Sequence, residues 1–307
     1  MTTALIRHRE CLLHDMGDHH PECPGRLHAI EDQLIASGII GYLAEYEAPV
    51  ATRPQLERVH SPDYIAVLEA SVPARGLTHL DPDTAMNPHS LGAALRAAGA
   101  AVLATDLVVG GQASAAFCSV RPPGHHAERR RAMGFCFFNN VAVGAAHALH
   151  AHGLERVAVV DFDVHHGNGT EDIFRDDPRV MMVSTFQHPF YPYSGTEGRS
   201  ERMVNVPLPA YTGGIGFRQA VETFWLPALE RFAPRMLFLS AGFDAHREDD
   251  MASLNLTEAD YAWVTQRVKE VAQRHANGRI VSVLEGGYAL SALGRSVVAH
   301  IRALSDL

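Results

Sequence analysis

Asp161, Asp163 and His165 stand at i, i+2 and i+4 in Asp161-Phe162-Asp163-Val164-His165. On extended backbone that spacing turns all three side chains to one face. Two carboxylates and an imidazole crowded together repel and desolvate one another unless a cation sits among them. A lone D-x-H reads more simply as a strand end with solvated aspartate and a satisfied histidine. Here the triplet follows a wholly apolar run, Val157–Val160, and a further carboxylate, Asp244, follows the run Met236–Ser240. The pattern therefore points to a metal. Carboxylate and imidazole without thiolate suit zinc, iron or manganese. Three protein ligands with a position left open make a catalytic site rather than a structural one. Asp163, His165 and Asp244 are the expected three, with Asp161 better placed to orient an imidazole.

Two more groups could work beside such an ion. Adjacent histidines, here His125-His126, are a weak signal alone, but Pro122-Pro123-Gly124 fixes the backbone just before them. One histidine of such a pair can take a proton from water while a carboxylate holds the other. Tyr288, after Gly286-Gly287, is either an ordinary aromatic cap or a hydrogen-bond donor to an oxyanion.

All of these residues follow short apolar runs. Ala4–Ile6, Ala115–Val120, Val157–Val160, Val180–Ser184, Met236–Ser240 and Ile280–Leu284 read as strands buried on both faces. Helical spacing marks Arg26–Ser37, His89–Val109, Asn140–His152, Phe217–Phe232, Thr257–Ala276 and Leu290–Leu304. Strands alternating with helices predict a single α/β domain over residues 1–307, a parallel sheet sandwiched between helices. In such a sheet the ligand site lies beyond the carboxyl ends of the strands, where these residues fall.

Composition narrows the function further. The 307 residues carry 26 Lys plus Arg against 35 Asp plus Glu, a net charge of −9, which argues against nucleic acid. Lys269 is the single lysine and lies in a charged helical stretch, which argues against Schiff-base chemistry. The most apolar stretch, Ala97–Val109, is broken by Asp106, so no membrane span is expected. The N-terminus turns polar too soon for a signal peptide, and Cys11, Cys23, Cys118 and Cys136 form no C-x-x-C pair, which suits reduced thiols in the cytoplasm. Of the 19 histidines, His147, His150, His152, His275 and His300 read as ordinary helix residues.

Taken in order, the motifs resemble the histone deacetylase and acetylpolyamine amidohydrolase superfamily, with its arginase-like α/β fold. The resemblance runs through His20–Arg26, Arg121–Ala127, Met133–Asn140, Asp161–Thr170, Ser240–His246 and Leu284–Tyr288. Asn168 and the run Ala241–His246 are similar to the class II and bacterial deacetylase-like branch. The resemblance implies a catalytic zinc on Asp163, His165 and Asp244, with ferrous iron as the alternative. It implies a proton-handling pair in His125 and His126, Asp161 on His125, and Tyr288 as oxyanion donor. Asn168 stands where class I members carry a carboxylate, so His126 is expected to gain less basicity. Phe135 and Tyr191 would wall an acyl tunnel, with His20 and Gly286 lining the site, and the Gly134 carbonyl would receive the substrate amide. Arg26 would line an acetate-exit channel. One potassium or sodium would sit on Asp161, Asp163, His165, Ser184 and Thr185, and another on Phe174, Asp177 and Val180.

The reaction this implies is hydrolysis of acetyl or other short acyl groups from acyl-lysine, in a peptide or a small N-acyl amine. The alternatives are an acetylpolyamine amidohydrolase and an arginase-type dinuclear manganese ureohydrolase. The second needs more bridging carboxylates than Asn168 and the lone Asp244 leave. The short segment Gly76–Thr84 favours an open mouth, at which Asp81 or Asp83 could meet a substrate backbone or ammonium group. Substrate identity and oligomeric state are left open.

Overall fold

The computed structural model describes residues 2–197 and 200–307. Among these residues ten strands form, and eight join one sheet: β1 (Ala4–Arg7), β2 (Ala44–Glu47), β5 (Ala115–Cys118), β6 (Val157–Asp161), β7 (Val180–Gln187), β8 (Met203–Leu208), β9 (Leu237–Ala241) and β10 (Ile280–Leu284). Their order is β2-β1-β5-β10-β9-β6-β7-β8, and each pairing is parallel. The remaining two, β3 (Thr78–Asp81) and β4 (Thr84–Met86), make a small antiparallel hairpin.

All six expected strands are present, because each buries every residue, Arg7 at the end of β1 excepted, and so reads as an apolar run. The two edges carry a different signal. β2 reads Ala-Glu-Tyr-Glu, half-buried and exposed in alternation, and β8 contains Pro207. Edge strands tolerate charge and proline because one side of the ladder is unpaired.

Among the described residues ten α-helices accompany the sheet. They are α1 (Gly25–Ala36), α2 (Arg53–Leu56), α3 (Pro62–Ala70), α4 (Ser90–Val109), α5 (Asn140–Ala151), α6 (Asn168–Phe174), α7 (Gly214–Ala220), α8 (Leu226–Phe232), α9 (Glu258–His275) and α10 (Leu290–Ser305). The helix expected over Phe217–Phe232 starts earlier, and a π-helical stretch, Val221–Trp225, links α7 to α8. Thr257 and Asp260 close a capping box at the start of α9. Helices α4 and α5 cover one face of the sheet; α1, α9 and α10 cover the other.

One expectation needs correcting here. Asp106 does not break the apolar stretch, and α4 is long and apolar enough to cross a membrane. Two-thirds of it is buried inside the protein, where its alanines pack against the sheet and α5. Asp106 fits because it lies on the exposed side of the helix.

Candidate active site

The four strands that carry the unusual residues, β5, β10, β9 and β6, are consecutive neighbours at the middle of the sheet. Their carboxyl ends therefore bring Arg121–His126, Glu285–Tyr288, Gly242–Asp244 and Asp161–His165 to one place.

Asp163, His165 and Asp244 converge there, with ligating atoms within 4.8 Å of one another and all three residues buried. His165 Nδ1 lies 3.0 Å from Asp163 Oδ1 and 3.3 Å from Asp244 Oδ2. Backbone amides fix both carboxylates. Val164 N donates to Asp244 Oδ1 at 2.9 Å, and Gly286 N donates to Asp163 Oδ2 at 2.9 Å. The expected geometry is corrected in one respect: β6 ends at Asp161, so Asp163 and His165 leave the strand, while the Asp161 carboxylate meets His125 and the Asp163 amide. Gly286 lies against the same carboxylates. A Cβ there would lie 2.0 Å from Asp244 Oδ2, and one on Gly242 would lie 2.0 Å from Asp163 Oδ2. Both glycines make room for the carboxylates.

This cluster fits a divalent ion. Asp244 Oδ2 is buried without a hydrogen bond. Burial, with Asp163 nearby, pushes the Asp244 carboxyl up to about 6 against the pull of His165. Burial pulls His165 down, but the hydrogen bond to Asp163 and the nearby charges of Asp163 and Asp244 more than offset it and carry the imidazole to about 10. His165 holds its proton, and Asp244 carries its charge at a cost, unless a cation takes the place between them, which is the behaviour of a ligand set.

The histidine pair lies alongside, ring centroids 4.1 Å apart. His125 Nδ1 meets Asp161 Oδ2 at 3.0 Å, as expected. His126 Nδ1 meets Asn168 Oδ1 at 2.7 Å. Because Asn168 Nδ2 donates to Glu128 Oε1, its oxygen faces His126 and accepts the Nδ1 proton. That tautomer leaves His126 Nε2 with a free lone pair. Burial lowers both imidazoles, but Asp163 and Asp161 lift His125 well above its ordinary value. Burial and repulsion from His125 and His165 hold His126 well below it. Neighbours pushed apart in this way divide the roles of acid and base.

Tyr288 closes the site. Its ring packs edge-on to Phe135 at 6.0 Å, and the Arg26 guanidinium sits 5.0 Å from its centroid. Arg26 is buried, and its donors are committed to the Gly287 and Glu285 carbonyls and to Glu22. It braces the Tyr288 loop. Phe135 has φ +68° and packs on His20 at 4.7 Å. Its corner is held from the β3–β4 hairpin: Asp83 Oδ1 accepts from Gly134 N at 3.2 Å and Thr84 Oγ1 from Phe135 N at 3.0 Å. Asp83 thus supports the wall, and burial beside Asp81 raises it to about 6. The Gly134 carbonyl takes the Cys136 thiol at 3.2 Å. Opposite, Tyr191 stands edge-on to His126 at 5.3 Å and to His165 at 6.1 Å.

For the first monovalent site, Ser184 Oγ is buried without a hydrogen bond on β7, in register with Asp161. Thr185 follows it, also buried. At the second expected site the main-chain oxygens also serve hydrogen bonds. The Asp177 carbonyl already accepts from Val180 N and Arg202 Nη1, and its carboxylate pairs with Arg179. The Phe174 carbonyl accepts from Asp177 N.

Several residues here had no assigned role in the sequence. Glu285 is buried at the end of β10, and its Oε2 accepts from Gly124 N at 2.6 Å and His125 N at 3.0 Å. Burial lifts it to about 7 against the pull of His125. A carboxylate directly after a buried strand marks its place in the sequence but not the partners it reaches. Glu22 lies among Arg26, Arg121 and His14, all buried. Asp249 accepts from the amides of Tyr288 and Ala289. Phe190 stacks on His165 at 5.5 Å. His166 bridges Ser194 Oγ at 2.9 Å and Glu171 Oε2 at 2.8 Å, tying the Tyr191 loop to the metal loop.

This architecture is shared with known proteins. The sequence matches the histone deacetylase domain over residues 20–304. A histone deacetylase-like amidohydrolase of Pseudomonas aeruginosa is 38% identical, with 99% of this chain and 86% of that protein covered. A probable deacetylase of Archaeoglobus fulgidus is 38% identical, with 94% and 82% covered. The solved HDA15 HD domain superposes with a TM-score of 0.92 at 33% identity, covering 99% of this chain and 88% of that one. The chain belongs to the histone deacetylase family, has its arginase/deacetylase fold, and is a hydrolase of the deacetylase class.

Proposed function

We propose that this chain is a zinc-dependent amide hydrolase that removes acetyl or other short acyl groups from acyl-lysine and related N-acyl amines. The observation that carries this reading is the convergence of Asp163, His165 and Asp244 beside a histidine pair whose members are pushed to opposite protonation states. A divalent ion held by those three residues, zinc or ferrous iron, would polarise the scissile carbonyl and acidify the attacking water.

The chain's own residues do the rest. Phe135 and Tyr191 hold the acyl arm between them and exclude bulk water. His126, neutral and protonated at Nδ1 toward Asn168, takes the proton of the attacking water at Nε2. Tyr288 donates its hydroxyl proton as a hydrogen bond to the carbonyl oxygen while charge develops there. A histidine of the pair then gives a proton to the departing amine nitrogen. A structural potassium or sodium at Asp161 and Ser184 would offset the buried carboxylates. The unpaired cysteines suit a reducing, cytoplasmic setting.

The test is an assay of the metal-loaded protein against acetyl-lysine peptides, acetylputrescine, acetylspermidine and longer acyl-lysines. We expect hydrolysis of at least one class, and Tyr288→Phe should lower kcat by about 10²–10³-fold. Hydrolysis of none, with metal bound, would overturn the amide-hydrolase reading. An unchanged kcat in Tyr288→Phe would remove the oxyanion role.

A further inference from the structure

His147 and His152 read from the sequence as ordinary helix residues, yet the fold brings them together. α4 and α5 pack side by side. His147 lies on α5 and His152 caps it, while Asp106 lies in the last turn of α4. Both imidazoles turn Nε2 to the same oxygen, Asp106 Oδ1, at 2.8 Å and 2.7 Å. The rings are 5.4 Å apart and nearly perpendicular, and the three ligating atoms fall within 4.8 Å of one another. The Asp106 side chain is 47% exposed and that of His147 only 9%. The cluster is therefore open on one side, with room for water to complete a coordination shell.

We propose that Asp106, His147 and His152 form a second divalent-metal site, selective for zinc, copper or nickel, and that Arg58 sets its affinity. The ligand chemistry gives the selectivity. Two imidazoles and one carboxylate favour those ions over calcium or magnesium, which prefer oxygen alone.

Arg58 enters through the proton on His147. Its Nη1 lies 2.9 Å from His147 Nδ1. A guanidinium can only donate, so Nδ1 accepts and the ring's proton sits on Nε2, pointing at Asp106. Coordination through Nε2 moves that proton to Nδ1, where it faces another donor. Arg58 must turn away before an ion can bind, and its charge repels the ion as well. A metal-bound histidine ordinarily gives its other N–H to an acceptor, and such partners change metal affinity by about 10–100-fold. The native chain thus holds a site weakened by one residue.

Zinc bound per chain, with the active-site metal already loaded, is measured by dialysis against buffered free zinc. The wild type, Arg58→Gln and His152→Ala are compared. We expect one additional zinc in the wild type at micromolar free zinc. The glutamine oxygen can accept from Nδ1–H, so Arg58→Gln should bind the same additional ion at least about tenfold more tightly. His152→Ala should lose it with kcat/KM unchanged. With copper as probe, the electron paramagnetic resonance difference between wild type and His152→Ala should carry coupling to two nitrogens. Absence of an additional ion in Arg58→Gln, or equal binding by His152→Ala and the wild type, overturns the proposal. All three chains share the same active site, so the comparison is independent of the proposed reaction.

Discussion

The molecule holds two aspartate–histidine clusters of almost the same composition and opposite construction. In Asp163, His165 and Asp244, main-chain amides of Val164, His165 and Gly286 fix the carboxylates, and no side chain can relax toward solvent. In Asp106, His147 and His152, only side chains meet, at the edge of two helices. The difference teaches what makes a cluster catalytic. Backbone donors at strand ends hold ligands in place before the ion arrives, whereas surface rotamers must be ordered by it.

The sharpest way to break this comparison is to neutralise one carboxylate in each cluster. We predict that Asp244→Asn lowers kcat/KM by at least about 10³-fold, the loss expected when several kcal/mol of charge stabilisation disappear. Asp106→Asn should leave kcat/KM unchanged. Steady-state kinetics at saturating metal checks both, and a large loss in Asp106→Asn would mean that the surface cluster serves the reaction.

A second difference lies in what faces the histidines. His147 meets a carboxylate, while His126 meets the amide of Asn168. Asn168→Asp gives His126 the kind of partner that His147 has. An opposite charge this close raises an imidazole pKa by about 1–3 units. The base acts only when neutral, so raising its pKa moves the acidic limb of the kcat/KM profile to higher pH. An acidic limb that stays in place would mean that His126 is not the base.

How much of this was legible in the sequence follows from how local each signal is. The ligands and histidine pair were legible because each follows an apolar run and glycine breaks the pattern beside them. Asp161 on His125 needed the family resemblance, since the two lie 36 positions apart. Glu285 was not legible: it reaches Gly124 across 161 positions, and no local pattern records that contact. The β3–β4 hairpin was missed because its Asp-Pro-Asp turn resembles any solvated turn. Only packing shows that Asp83 holds the Gly134–Phe135 corner. The surface cluster failed for the same reason, with Asp106 and His147 drawn together by helix packing alone.

The smallest expected effect is on stability, and there the two clusters should differ in sign. In the metal-free chain, burial and Asp163 raise the Asp244 carboxyl to about 6, above its ordinary 3.8. A group raised on folding contributes its stability in full below the unfolded value, and loses it as pH rises through the folded one. Near neutral pH the metal-free chain therefore carries Asp244 ionised at a cost, and the ion normally offsets that cost. Asp244→Asn keeps an oxygen for Val164 N and removes the charge. We predict that metal-free Asp244→Asn is more stable than metal-free wild type at neutral pH by about 2 kcal/mol, with the gap closing below pH 4. Asp106→Asn breaks a half-exposed interaction and should cost less than about 1 kcal/mol. Thermal melts with and without chelator read both effects. A metal-free Asp244→Asn that melts below the metal-free wild type would show that the buried carboxylate stabilises the fold by itself, and that the ligands were not built around an absent charge.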